Sequence, residues 1–155
     1  MKKLVAAVLT FAMVLFILPM SAFAVSPAET ASSKVVFDDG SYMVTTISGL
    51  STFGRTASLQ ASSKTGKKTV KYYSSGNTLE WDFSVTATFT YDGTTAKATS
   101  ASASHNIYVS GWTCTFSNTS YASNTATASG TFKHSSLLTK NTSTTLRCSP
   151  SGELS

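Results

Sequence analysis

The sequence predicts an all-β protein, an antiparallel β-sandwich of the immunoglobulin type or similar, with a small β-barrel as the alternative closure. Three observations predict it. Residues 79–91, LEWDFSVTATFTY, alternate apolar and polar side chains without a break, the period of a strand with one face buried. Further short stretches of that period recur down the chain between Asp-Gly and Ser-Gly-Asn turn signals. Serine and threonine take the polar positions, with charged residues at only 12% of the chain. A β-branched threonine suits a pleated surface half in water, because its methyl packs and its hydroxyl faces solvent.

Before the first strand, Lys2 and Lys3 precede an almost wholly apolar run, Leu4 to Met20, and Ala22-Phe23-Ala24 has the small-x-small form of a signal-peptidase site. A cleaved signal peptide over residues 1–24 is expected, helical from Leu4 to about Leu18, with a secreted product beginning at Val25. Its loss leaves 10 basic residues against 7 acidic ones, a net charge of +3, too weak to imply nucleic acid. Residues 25–33 have little pattern and are expected to be a flexible leader; residues 34–155 make one domain.

Val35 to Phe37 and Tyr42 to Ile47 flank Asp39-Gly40 as a hairpin. Thr69 to Tyr73 form a strand before the turn Ser75-Gly76-Asn77. In the long strand the odd positions Leu79, Trp81, Phe83, Val85, Ala87, Phe89 and Tyr91 are apolar. Asp92-Gly93 predicts a two-residue turn that pairs Tyr91 with Thr94, Phe89 with Ala96 and Ala87 with Ala98. The return strand is then small where the outgoing one is large, so a second sheet must fill the space. Trp112, Cys114 and Phe116, then Ala126, Ala128, Gly130 and Phe132, and finally Thr142, Thr144, Leu146 and Cys148 alternate in that manner. The expected core is Trp81, Phe83, Val85 and Phe89, met by Trp112 and Phe116.

Cys114 and Cys148 share the apolar register in an exported chain, and the simplest expectation is that they form a disulfide. His105 and His134 lack the clustered ligands of a metal site, and no metal or cofactor is expected. Glu80 and Asp82, one pleat apart, read as solvated strand carboxylates rather than a catalytic pair, and Asp38-Asp39 as turn residues. The only charge cluster is SSKTGKKTVKYYSSG, where Lys64, Lys67, Lys68 and Lys71 precede Tyr72 and Tyr73. A flexible basic loop of this kind holds anionic polymers by diffuse attraction while tyrosines stack on sugars; the bland reading is a solubilising loop that guards an edge strand.

YMVTTISG at 42–49, SVTATFTYDGTTAKAT at 84–99, NTATASGTF at 124–132 and LRCSPSGELS at 146–155 resemble small secreted proteins of uncharacterised role from clostridia-like Gram-positive bacteria. The resemblance implies an exported bacterial product and carries no catalytic signature. It also implies a cysteine near position 98, where this chain has alanine. The expectation is a non-enzymatic extracellular or cell-envelope binding module for a glycan or anionic polymer of the cell surface or host, with no nucleic-acid partner and no membrane span after cleavage. A secreted antimicrobial or toxin-like protein is the alternative.

Overall fold

In the computed structural model, which describes residues 29–50 and 61–155, eight strands follow one another. They are β1 (Glu29–Val36), β2 (Tyr42–Leu50), β3 (Ser62–Tyr73), β4 (Leu79–Tyr91), β5 (Ala96–Ile107), β6 (Trp112–Ala122), β7 (Thr125–His134) and β8 (Thr139–Arg147). The predicted signal peptide and its helix lie outside the described residues. Strand β1 starts inside the expected leader, with Glu29 already opposite Ser48 of β2.

β1 to β5 form one five-stranded antiparallel sheet in chain order, and β6 to β8 a three-stranded one. The two sheets stack without closing into a barrel, so the fold is a β-sandwich. Each sheet is a plain meander, and the crossing connections of an immunoglobulin domain are absent among the described strands.

The core lies where the sequence period places it. Trp81, Phe83, Val85, Ala87 and Phe89 are buried, and Ala126, Ala128, Phe132, Leu146 and Cys148 meet them from the small sheet. Phe132 lies flat on Trp81, ring centroids 3.9 Å apart, and Tyr72 stacks on Trp81 at 5.0 Å. Trp112 meets both Tyr72 and Trp81 edge-on. Gly130 stands under Phe83, whose ring a Cβ there would meet at 2.9 Å. Alanines and a glycine on β7 make room for the rings of β4, the large-against-small complementarity that close packing requires.

Four expectations are corrected, one by a longer turn and two by single inserted residues. The β4–β5 turn spans four residues, Asp92 to Thr95, closed by Asp92 N–H to Thr95 O and by the Asp92 carboxylate accepting from the Thr94 and Thr95 amides. Tyr91 therefore pairs with Ala96 and Phe89 with Ala98. Thr99 is then an extra residue in β5, so Ala101 and not Ala98 faces Ala87. In β6, Thr115 is likewise extra: Cys114 pairs with Phe132 but Phe116 pairs with Thr131. One inserted residue reverses the faces of a strand. Phe116 consequently leaves the core and is 54% exposed on the outer side of the small sheet.

The fourth correction concerns the cysteines, which are both free thiols. Cys114 sits beside Phe132, at one end of β7, and the Cys148 amide donates to Asn124 O, just before its other end. Those β7 neighbours are separated by roughly 26 Å at about 3.3 Å per residue, whereas a disulfide needs Cα atoms within about 7 Å. Burial pushes the Cys148 thiol pKa up, with Lys64 opposing.

Candidate functional site

The six residues expected to form a basic binding loop belong to β3, a central strand paired on both edges. Period two then splits them. Tyr72 opposes Trp81, Lys68 opposes Val85 and Lys64 opposes Phe89, all in the inward register of β4. Tyr72 is buried; Lys64 reaches past the edge of the core to donate to Gly152 O at 2.7 Å. Lys68 is partly buried, and burial, with Arg147 nearby, lowers its pKa. Lys67 and Lys71 oppose Thr86 and Asp82, on the outer face of the large sheet, and Tyr73 stands at the same end of β3.

On that outer face Tyr73 meets a residue that the sequence reading did not single out. Tyr42, its partner across β2, stacks on it with centroids 4.9 Å apart and planes within 10°. The Lys34 ammonium rests over the Tyr42 ring at 3.8 Å. Tyr42 takes one face of Tyr73, and the other side of the ring turns toward β4, where Leu79 is its cross-strand partner. The Tyr42 hydroxyl donates to Asn77 Oδ1 at 3.1 Å in the β3–β4 turn, where Asn77 adopts a positive φ of 62°.

Across β4 lies a second polar group. Asp82 accepts from Asn106 Nδ2 at 3.0 and 3.2 Å and from the Tyr108 hydroxyl at 2.6 Å. Hydrogen bonding to this carboxylate, with its charge and partial desolvation, raises the Tyr108 pKa. Tyr108 is 54% exposed. Between these aromatic groups and the far end of the sheet the face carries short hydroxyl side chains: Ser84 bonds Ser104 at 2.8 Å and Thr65 bonds Thr88 at 2.9 Å.

Glu80 does not join Asp82. It is an extra residue in β4, between the pairs Tyr72–Trp81 and Tyr73–Leu79. The bulge re-aims its carboxylate, which accepts from the Trp112 indole N–H at 2.8 Å. It lines a cleft of about 300 Å³ at the end of the sandwich, with Asp39, Tyr72, Trp112, His134 and several serines. There Asp39 accepts from Ser41 and from Lys140 at 3.3 Å, and these bonds hold its pKa below the usual carboxylate value. His134 Nδ1 shares a hydrogen with Ser136 Oγ at 2.8 Å, and the exposed His105 ring meets Phe132 edge-on. Among the described residues no three His, Cys, Asp or Glu side chains gather around one point, and no helix is long and apolar enough to cross a membrane.

The outer face thus keeps Lys67, Lys71 and Tyr73 from the predicted set, loses Lys64, Lys68 and Tyr72 to the other side, and adds Tyr42, Asp82, Asn106 and Tyr108. Tyr42 was within reach of pattern reading, since it begins a predicted strand and its parity sets its face. Asn106 and Tyr108 were not. The predicted turn would have set residue 103 against Asp82, and only the longer turn plus the Thr99 bulge brings Asn106 there.

The chain matches no protein-family model and no curated protein. Among solved structures it is similar to the crystal structure of a hypothetical protein, lmo2686, from Listeria monocytogenes EGD-e. That likeness has a TM-score of 0.44 and 19% identity, and it covers 80% of this chain and 88% of the other.

Proposed function

We propose that this protein is a secreted, non-enzymatic binding module that holds a cell-surface or host polymer on the outer face of its five-stranded sheet. The observation that carries the reading is the Tyr42–Tyr73 stack beside the Asp82–Asn106–Tyr108 network. Sugar rings present an apolar face that an aromatic ring covers and hydroxyls that bind fixed polar groups. Here the ring surface and the polar groups stand on neighbouring strands, where a rigid sheet holds them at little entropic cost on binding. Tyr108 is oriented by its bond to Asp82, and Tyr73 by its stack on Tyr42.

A pull-down of purified protein on isolated cell walls, mucins and anionic polymers tests this. The wild type is expected to be retained on at least one matrix, and the Tyr73→Ala/Tyr108→Ala variant to be lost from it while its urea midpoint stays near wild type. Equal retention of a folded double variant refutes the assignment of this face.

A further inference from the structure

Along β3 the outer register reads Tyr73, Lys71, Thr69, Lys67, Thr65. At a strand rise of about 3.3 Å, Lys71 lies about 6.6 Å beyond Tyr73, and Lys67 about 13 Å beyond Lys71. Between the two lysines only Thr69 stands on this strand, and its neighbour across β4, Ser84, is fully buried. Thr69 and Ser84 are short hydroxyl side chains, and Ser84 is covered by its neighbours.

Its charge leans positive. Among the described residues Lys34, Lys67, Lys71 and Lys97 occupy the outer register of β1, β3 and β5, against Asp82 on β4, across from Lys71, and Glu29 on β1. Asp82 spends its oxygens on Asn106 and Tyr108, on the β5 side. Among the described residues Lys67 and Lys71 make no ion pair; the ion pair found there joins Lys140 to Asp39, elsewhere. Cations held on a rigid strand without partners favour an anionic ligand, and a ring at the end of their row favours one built of sugars.

We propose that the outer face binds a linear acidic polysaccharide laid along β3, one sugar ring against Tyr73 and the carboxylates of following units near Lys71 and Lys67. This deepens the binding-module reading and rests on it. A chain with a carboxylate on every ring presents a charge near each lysine whichever ring sits on Tyr73, so the uneven spacing of tyrosine and lysines is tolerated. A sparsely charged chain lacks that freedom. Lysine also suits the task, since an ammonium on a flexible stem meets carboxylates over a range of positions without a fixed fork.

The experiment is titration of purified protein with polygalacturonate, its fully methyl-esterified neutral form and a glycerol-phosphate teichoic acid, at two salt concentrations. Polygalacturonate is expected to bind tightest and to weaken as salt rises, with the methyl ester and teichoic acid weaker by about tenfold or more. Lys67→Gln/Lys71→Gln should lose about tenfold on polygalacturonate, while the inward pair Lys64→Gln/Lys68→Gln binds as wild type. Circular dichroism and urea midpoints of both pairs establish that each is folded. Equal binding of the neutral ester, tighter binding of teichoic acid, or an unchanged outer-pair variant overturns the acidic-polysaccharide assignment. If the wall or mucin pull-down still depends on Tyr73 and Tyr108, the module reading survives that failure; if it does not, both fall.

Discussion

Replacing Phe116 and Phe83 by alanine, one at a time, separates the two registers available to β6. The alternation of Trp112, Cys114 and Phe116 points all three side chains inward, whereas the extra residue at Thr115 turns Phe116 out to 54% exposure opposite Thr131. Phe83 is fully buried, meets Phe132 edge-on at 6.0 Å and covers Gly130. Its truncation removes a ring from a close-packed site and leaves a cavity, at a cost of about 3 to 5 kcal/mol. Truncating Phe116 removes atoms already half in water and should cost under about 1 kcal/mol. With a urea dependence of about 1 to 3 kcal/mol per molar for a small domain, the two variants should differ in midpoint by about 1 M or more. Trp81 and Trp112 are both buried, so their fluorescence reports unfolding directly. If Phe116→Ala loses as much stability as Phe83→Ala, β6 carries no bulge at Thr115 and the register described here is wrong.

Mass spectrometry of the unreduced protein should show both thiols free, Cys114 reacting with a thiol reagent before the buried Cys148, and reductant leaving the melting temperature unchanged. A mass two hydrogens lower would contradict the separation of the two cysteines. Gly130→Ala should destabilise by about 1 to 3 kcal/mol through overpacking, since its Cβ would press on the Phe83 ring; a neutral effect in urea melts would show that Phe83 is not seated there. The Asp92 carboxylate has its pKa lowered from 3.8, chiefly by the Thr95 and Thr94 amides. A depressed acid stabilises the fold above its unfolded-state pKa and loses that contribution as pH falls through the folded value. Asp92→Ala should therefore melt below wild type at neutral pH, and the gap should narrow below about pH 4; a gap that is constant down to pH 2 would refute the assignment.

Period two made much of this protein legible before any coordinates. The inward set Trp81, Phe83, Val85 and Phe89, the partners Trp112, Ala126, Ala128 and Phe132, and the final strand through Leu146 all lie where alternation places them. Alternation is a local property: a pleated strand sends successive side chains to opposite faces whatever its neighbours do, so hydrophobic pattern alone chooses the buried face. Turn residues added the approximate ends of most strands, and the lack of any helical period settled the class.

Pairing between strands is not local, and beyond the hairpin neighbours marked by Asp-Gly turns the sequence did not set its register. Thr99, Thr115 and Glu80 look like ordinary members of alternating runs, yet each is an extra residue that shifts the pairing of the strand on one side of it. The lysine cluster shows the same division. Its residues could be counted in the sequence, but their neighbours could not, and β3 lies between two other strands. Parity along β3 sends Lys64 and Lys68 inward and sets Lys67 and Lys71 on the face of Tyr73, and the strands on either side decide what they meet there. Which side chains share a face follows from parity along one strand; which strands lie side by side, and in what register, follows only from the packing of the whole.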